Sequence, residues 1–197
     1  MKIGLVPMSA KPYHAGHDML VRIAASECDA VKLFVSTSNR ERRGEMPISG
    51  QAMEEIWKKY ISHTIPSNVQ IEYGGSPVGK VFLELANAKT GNSPDVYVIY
   101  SDDVDIELNF PDAKMKKFDP LLIEKRGINR EQTVPISGTK MRLALQNGDI
   151  TAFSQFLPDG IRAFSKEIIE MLRGENNLGN VQKESLLRSY IKNVLLS

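Results

Sequence analysis

The chain has 197 residues, of which 42% are hydrophobic and 25% charged, and its formal net charge is +1. This composition is typical of a globular protein with one main domain, and the near-neutral charge argues against nucleic acid or a membrane surface as its partner. A single cysteine, Cys28, excludes an intrachain disulfide and a cysteine-based zinc cluster. Because no apolar run reaches the length of a membrane span or of a signal peptide core, we expect a cytoplasmic protein.

The first strand and helix of the chain predict a phosphate-binding loop. An apolar strand at residues 3–6 precedes His14-Ala15-Gly16-His17, which leads into a helical pattern. A helix N-terminus offers unpaired backbone N–H groups and the positive end of the helix dipole, and histidines at i and i+3 share one helix face. The glycine between them allows a ligand to approach the backbone closely. Taken alone, these residues could equally be a surface histidine pair at a helix start.

Strand-like and helix-like stretches alternate through the middle of the chain. Buried-strand patterns cover residues 30–35 and 95–100, residues 69–73 alternate as a strand does, and helical patterns follow Ser49 and cover residues 81–88. Short apolar strands separated by helices indicate parallel βαβ units, so we expect an α/β fold with a doubly wound parallel sheet. In such sheets ligands bind beyond the carboxyl ends of the strands.

Polar residues follow two of these predicted strands. Ser36 follows the second strand, and Asp102 and Asp103 follow the fourth, where they would contact substrate. A solvated acidic turn explains the two aspartates equally well. The basic cluster at residues 40–43 would either bind phosphates or form a solvated charge run. Each of these polar groups is therefore a weak candidate.

A glycine-rich stretch at residues 74–81 nearly spells a P-loop. That motif requires Ser or Thr directly after its lysine, because the hydroxyl ligates Mg²⁺, and here Lys80 is followed by Val81. We interpret the stretch as a turn at the rim of the sheet and do not expect a P-loop NTPase.

A second strand-to-helix junction lies late in the chain, where a strand-like stretch at residues 133–136 leads into a helical pattern. Ser137 or Thr139 can cap the helix, Gly138 permits close backbone approach, and Arg142 supplies a planar cationic fork. A cation near the start of a helix opposes the helix dipole unless an anion lies between the two. The junction therefore favours a bound phosphate over an ordinary capped helix.

Together the two junctions resemble the HxGH nucleotidyltransferase superfamily. The sequences at residues 11–17 and 136–142 have the order and spacing of its two motifs, and residues 12–17 are similar to those of archaeal-type nicotinamide mononucleotide adenylyltransferases. The resemblance implies a Rossmann-like nucleotidyltransferase domain over residues 1–160. Residues 161–197 would be a C-terminal helical extension packed on the same domain.

One departure from those adenylyltransferases lies directly before the first motif. They usually carry Gly-Arg-Phe-Gln there, and this chain has Met8-Ser9-Ala10-Lys11. The missing Arg and Gln mean that the contacts of the first loop differ from those of the family, with Lys11 as the available charge.

The resemblance implies transfer of AMP from ATP to a phosphorylated small-molecule acceptor, with release of pyrophosphate. The first-choice acceptor is nicotinamide or nicotinate mononucleotide, which would give NAD. Mg²⁺ would accompany the triphosphate, although no carboxylate cluster predicts a metal site in the protein. The predicted catalytic residues are His14, His17, Lys11 and Arg142, the nucleotide-binding residues are Gly16, Ser9, Ser137, Gly138 and Thr139, and the weaker substrate contacts are Ser36, Asp102 and Asp103.

Two alternatives use the same scaffold. A cytidylyltransferase would use CTP and a phosphorylated alcohol, but those enzymes more often read Ser-Thr-Thr or Ser-Thr-Ser where this chain has Thr139 to Arg142. A catalytically silent nucleotide-binding protein is disfavoured because both histidines and Arg142 are present. We expect neither nucleic acid nor a membrane as a partner, and the sequence leaves a homo-oligomer open.

Overall fold

The computed structural model describes residues 1–129 and 138–174. The strands are β1 (Lys2–Met8), β2 (Ala30–Val35), β3 (Val69–Tyr73), β4 (Val96–Asp102) and β5 (Leu122–Ile128). They form one sheet in the order β3-β2-β1-β4-β5, and every neighbouring pair is parallel. The predicted α/β fold with a doubly wound parallel sheet is confirmed.

Helices lie on both faces of this sheet. They are α1 (Ala15–Glu27), α2 (Gly50–Ile56), α3 (Pro77–Thr90), α4 (Asp103–Asn109), α5 (Asp112–Met115), α6 (Gly138–Asn147), α7 (Ile150–Phe156), α8 (Asp159–Arg162) and α9 (residues 165–174). A π-helical turn, Trp57–Ile61, extends α2, and 3₁₀ turns cover Ser62–Thr64 and Lys116–Phe118. None of the helices in the described ranges is long and apolar enough to cross a membrane.

Neighbouring residues of the central strand, β1, pack in two different hydrophobic clusters. Leu5 packs in the cluster that contains Leu85 of α3, and Val6 packs in the cluster that contains Leu20 of α1 and residues of α2 and α6. Both strand residues are fully buried. Because successive side chains of a strand point to opposite faces, a central strand covered on both sides must be apolar at every position.

Residues 161–174 share the core of the main sheet. Ile161, Ile168 and Leu172 are buried members of the same cluster as Val6. This part of the predicted C-terminal extension therefore packs on the sheet, and residues 175–197 lie outside the described part of the chain.

The strand order places a crevice at the carboxyl ends of β1 and β4. The chain leaves β1 through α1 toward β2 and β3, then returns through α3 to place β4 on the other side of β1. The loops that follow β1 and β4 consequently diverge from each other, and such a switch point is where open α/β sheets bind their ligands. Both Ser9 and Asp102 lie at this point.

The fifth strand differs from the sequence prediction. No strand was predicted at residues 122–128, and the strand-like stretch at residues 133–136 lies outside the described residues. In the structure Leu122–Ile128 pairs with β4 alone. An edge strand has one neighbour and open solvent on its other side, so charges at Glu124, Lys125 and Arg126 are tolerated and the hydrophobic pattern is weak.

Candidate phosphate-binding site

The two histidines of the first motif form a stacked pair at the start of α1. His14 is the N-cap residue, and its carbonyl accepts hydrogen bonds from the backbone N–H groups of His17 (2.8 Å) and Asp18 (3.1 Å). The imidazole centroids lie 3.8 Å apart at an interplanar angle of 27°. The backbone N–H of His14 donates to Nδ1 of His17 (3.3 Å). A neutral His17 that accepts at Nδ1 carries its proton on Nε2, which is the tautomer that can donate to a phosphate oxygen.

Tyr13 fixes the plane of the His17 ring. Its ring is fully buried, stacks on His17 at 5.8 Å and meets the edge of Trp57 at 4.6 Å. Its hydroxyl donates to Asp18 (3.1 Å), which also accepts from Arg22 (2.6 Å). Burial, and secondly the charge of Asp18, raise the pKa of Tyr13 well above its ordinary value, so this donor stays protonated. The side chain of Trp57 is itself fully buried.

The two sequence motifs meet at the histidine pair. Gly138 is the first residue of α6, and a Cβ atom built on it would lie 3.7 Å from Nε2 of His14 and 3.1 Å from Nη1 of Arg142. The guanidinium of Arg142 donates to Oγ1 of Thr139 (3.1 Å). The N-termini of α1 and α6 therefore adjoin each other. Ser137, the other predicted cap, lies outside the described residues.

A buried lysine, Lys11, stands three positions before His14 in the chain. Nζ of Lys11 donates to Oγ of Ser36 (3.0 Å), and both residues are less than a tenth exposed. The same hydroxyl oxygen accepts from the backbone N–H of Ser38 (3.2 Å). Burial, and secondly the positive charge of Arg40, lower the pKa of Lys11. The predicted Lys11 and Ser36 are thus in direct contact, and Lys11 lies within the field of a further cation.

Two arginines share one carboxylate beside the lysine. Oε2 of Glu45 accepts from Nε (3.2 Å) and Nη2 (3.0 Å) of Arg40 and lies 3.0 Å from Nε of Arg142. Burial, and secondly the charge of Arg40, lower the pKa of Arg142, although the charge of Glu45 acts to raise it. We call Lys11, Arg40 and Arg142 the cation cluster. These three cations outnumber the one carboxylate that Arg40 and Arg142 share, and a surplus of positive charge favours an anionic ligand.

Sequence reasoning left Arg40 undecided and did not identify Glu45. The two are brought together because Arg40 and Ile48 form an isolated antiparallel bridge, which folds the intervening loop back on itself. Arg40 and Glu45 are five positions apart in a loop, and no sequence pattern at that spacing predicts their contact. The basic residues at 40–43 could have indicated a phosphate site only together with Arg142.

A cavity of about 270 Å³ opens beside His17. It lies at the switch point of the sheet, and its polar lining residues are Ser9, His17, Ser101, Asp102, Asp105 and Asn109. Of the two predicted aspartates, Asp102 lines the cavity and caps α4 through a hydrogen bond from Val104 N–H (3.3 Å). Asp103 lies against Gly127 of β5, where a Cβ atom would be 2.3 Å from its Oδ1. The sequence did not predict Asp105 as a site residue, because an acidic first turn of a helix is typical of solvated surface.

The P-loop-like stretch is a rim turn in which the lysine binds protein groups. Nζ of Lys80 donates to the carbonyl of Tyr73 (3.0 Å) and lies 3.5 Å from the carboxylate of Glu72. Ser76 caps α3 by accepting from the backbone N–H of Gly79 (3.2 Å). Val78 in the first turn of α3 lines the cavity. The stretch therefore forms part of the cavity lining, and its lysine contacts Tyr73 and Glu72.

Within residues 1–129 and 138–174, no three His, Cys, Asp or Glu side chains are placed to hold one metal ion. Asp102 and Asp105 line the cavity together with His17.

Comparison with known proteins does not assign the chain to a family. No protein-family model and no curated protein matches it. Among solved structures it is similar to Csm6 of Enterococcus italicus bound to cyclic hexa-2'-fluoro-hexa-dAMP, with 18% sequence identity and a TM-score of 0.40. The match covers 89% of this chain, and the chain spans 55% of the length of that protein. A likeness of this degree supports no assignment of function.

Proposed function

We propose that this chain is a nucleotidyltransferase that transfers AMP from ATP to a phosphorylated small-molecule acceptor. The observation that carries the proposal is the meeting of the two motifs, in which the N-terminus of α6 and the guanidinium of Arg142 adjoin the imidazole of His14. Helix N-termini, guanidinium groups and imidazole N–H groups all bind phosphate oxygens. Their convergence, close to the buried Lys11, favours a triphosphate over a singly charged anion.

The cation cluster would hold the β- and γ-phosphates, with His14 beside the α-phosphate. An oxygen of the acceptor phosphate attacks the α-phosphorus, and the new P–O bond forms as the bond from that phosphorus to the bridging oxygen breaks. Pyrophosphate leaves with the electron pair of the broken bond. Because the attacking phosphate is already an anion, the reaction needs no protein nucleophile and no strong general base, and positioning and charge stabilisation supply the catalysis.

The two histidines have different neighbours and would therefore have different roles. His14 lies beside the start of α6, and His17 lines the cavity at the switch point. With its proton on Nε2, His17 would donate to an oxygen of the transferred phosphate as negative charge moves toward pyrophosphate. Tyr13 would hold that ring in place by stacking.

The cavity would receive a ribose-bearing part of one substrate. Asp102 and Asp105 offer carboxylate oxygens, which accept hydrogen bonds from sugar hydroxyls, and Asn109 offers an amide. ATP and a pyridine mononucleotide both carry such a ribose. Nicotinamide or nicotinate mononucleotide, giving NAD, is the acceptor that we propose first, with MgATP as the donor.

The decisive experiment measures pyrophosphate release from MgATP and MgCTP with each of several acceptors. The acceptors are nicotinamide mononucleotide, nicotinate mononucleotide, phosphopantetheine, phosphocholine and glycerol 3-phosphate. A variant with His14→Ala and His17→Ala is measured in parallel. Release with ATP and a pyridine mononucleotide, lost in the variant, supports the proposal.

Two other outcomes would redirect the assignment. Release with CTP in place of ATP would make the chain a cytidylyltransferase that activates a phosphorylated alcohol. Nucleotide binding without pyrophosphate release from any pair would indicate a catalytically silent nucleotide-binding protein, and the enzymatic proposal would be wrong for these acceptors.

A further inference from the structure

We infer that Glu45 occupies the position of a ligand phosphate between Arg40 and Arg142, and that a bound polyphosphate must displace it. Glu45 would then be a positioning residue that holds both guanidiniums in place and lowers the affinity of the site for nucleotide. The inference deepens the proposed function and rests on it for the identity of the natural ligand.

The first observation is the geometry of one oxygen atom. Oε2 of Glu45 receives two N–H groups of Arg40 at 3.2 and 3.0 Å and lies 3.0 Å from Nε of Arg142. Three guanidinium nitrogens around a single anionic oxygen form the arrangement that arginines offer to a phosphate oxygen. The carboxylate therefore already accepts two hydrogen bonds from Arg40, and it lies against Nε of Arg142, which makes no hydrogen bond to it.

The second observation is the electrostatic balance of the site. Partial burial acts to raise the pKa of Glu45, but the hydrogen bonds from Arg40 and the charge of Arg142 outweigh it and the pKa is lowered. The side chains of Arg40 and Arg142 are 18% and 15% exposed, so their mutual repulsion is only partly screened by water. A charged Glu45 relieves this repulsion as long as no other anion is bound.

The third observation is the loop that carries the carboxylate. Arg40 and Ile48 close residues 41–47 with two backbone hydrogen bonds of 2.9 and 3.0 Å. Gly44 adopts φ = 81°, a conformation that favours glycine, and turns the chain directly before Glu45. Glu45 lies in this short loop outside the strands of the sheet, and its backbone N–H donates to the carbonyl of Arg42 (3.1 Å). Release of its side chain from the arginines would therefore break no strand pairing.

If the Glu45 carboxylate and a ligand phosphate compete for the same donors, the carboxylate raises the Kd of the ligand, and this effect can be measured. Removing the charge of Glu45 should increase the affinity for every ligand that displaces it by the same factor. Breaking a partly exposed ion pair changes an equilibrium by up to about fivefold. We therefore expect Glu45→Gln to lower the Kd of inorganic tripolyphosphate about fivefold, and the Kd of ATP by the same factor.

The test is calorimetric titration of the full chain with inorganic tripolyphosphate and, separately, with ATP. The matched control is Glu84→Gln, which breaks an ion pair with Lys32 (2.6 Å) of similar exposure and should leave both Kd values unchanged. In thermal unfolding without ligand, Glu45→Gln should lower Tm slightly, and saturating tripolyphosphate should raise Tm more than it does for the wild type. Should Glu45→Gln fail to fold, Glu45→Asp takes its place, since its shorter side chain cannot hold both guanidiniums and should also tighten binding.

Equal or weaker binding by the variant would overturn the inference, because Glu45 would then stay in place while the ligand binds. Unequal factors for tripolyphosphate and ATP would overturn it as well. The proposed function fails separately: a wild-type chain that binds tripolyphosphate and releases no pyrophosphate contradicts only nucleotidyl transfer. A chain that binds neither ligand with or without the substitution contradicts both.

Discussion

A substitution of His17 can distinguish an effect on catalysis from an effect on folding. His17 is only partly buried and its ring lies between those of Tyr13 and His14, so its removal leaves the core intact. We expect His17→Ala to lower kcat about 10²- to 10³-fold, as the loss of one preorganised donor does in other enzymes. The midpoint of thermal unfolding should change little. Pyrophosphate release and thermal unfolding of the same preparation provide the measurement.

The third histidine of the chain provides the matched control for that variant. His63 is exposed in a 3₁₀ turn, so His63→Ala should change neither kcat nor Tm. If His17→Ala lost activity only in proportion to its loss of folded protein, the assigned role of His17 would be wrong.

Lys11 makes a prediction about pH. Burial and the charge of Arg40 lower its pKa below the ordinary value of 10.5, so the ammonium loses its proton at a lower pH than an exposed lysine would. Because the cation is the form that binds phosphate, kcat/KM should decline as the pH rises through this lowered pKa. Lys11→Arg keeps its charge to a higher pH and should remove this alkaline decline. Identical pH profiles for the two proteins would exclude Lys11 as the titrating group.

At the scale of elements, the start of α2 depends on a glycine. Ser49 caps the helix by accepting from the backbone N–H of Ala52 (3.1 Å), and a Cβ atom on Gly50 would lie 1.7 Å from the carbonyl oxygen of Thr37. We expect Gly50→Ala to destabilise the protein by about 3 kcal/mol, because the helix must move away from the loop after β2. Urea unfolding monitored by circular dichroism measures this change.

A second glycine at a helix end serves for comparison. A Cβ atom on Gly91, which ends α3, would meet its nearest atom, the carbonyl oxygen of Asn87, at 3.4 Å. Gly91→Ala should therefore have an effect below about 1 kcal/mol. Equal destabilisation by the two substitutions would show that the close approach of α2 to the loop after β2 does not decide the stability of this region.

At the scale of the whole molecule, the two histidines belong to two parts of the candidate site, which we call its two compartments. His14 adjoins Gly138 at the start of α6, beside Arg142, and His17 lines the cavity at the ends of β1 and β4. Filling the cavity with Val78→Trp should raise the KM for one substrate at least tenfold, because a ring of this size removes much of the available volume. The affinity for inorganic tripolyphosphate should stay the same. Steady-state kinetics and calorimetry together check this separation.

The same helix supplies the control for the filled cavity. Leu83 is 61% exposed on α3, outside the cavity, so Leu83→Trp adds an aromatic ring to the same element without entering the site. It should leave the KM values of both substrates unchanged. Weaker tripolyphosphate binding by Val78→Trp would contradict the division into two compartments.

The sequence by itself determined the sheet and the two ends of the candidate site. Apolar runs such as residues 96–100 are typical of strands covered on both faces, so the doubly wound fold follows from local pattern. The first motif and Arg142 were likewise found from residue types and spacing. These features are readable because each is set by neighbours close in the chain.

The tertiary structure alone decided how those parts combine. It brought Arg142 to Arg40 and Glu45, set the Lys11 ammonium on Ser36, and formed the cavity between the ends of β1 and β4. It also added the charged edge strand β5, whose single neighbour leaves no strong periodicity to detect. These contacts join residues far apart in the chain or in irregular loops. Their energies depend on distances that no local pattern contains.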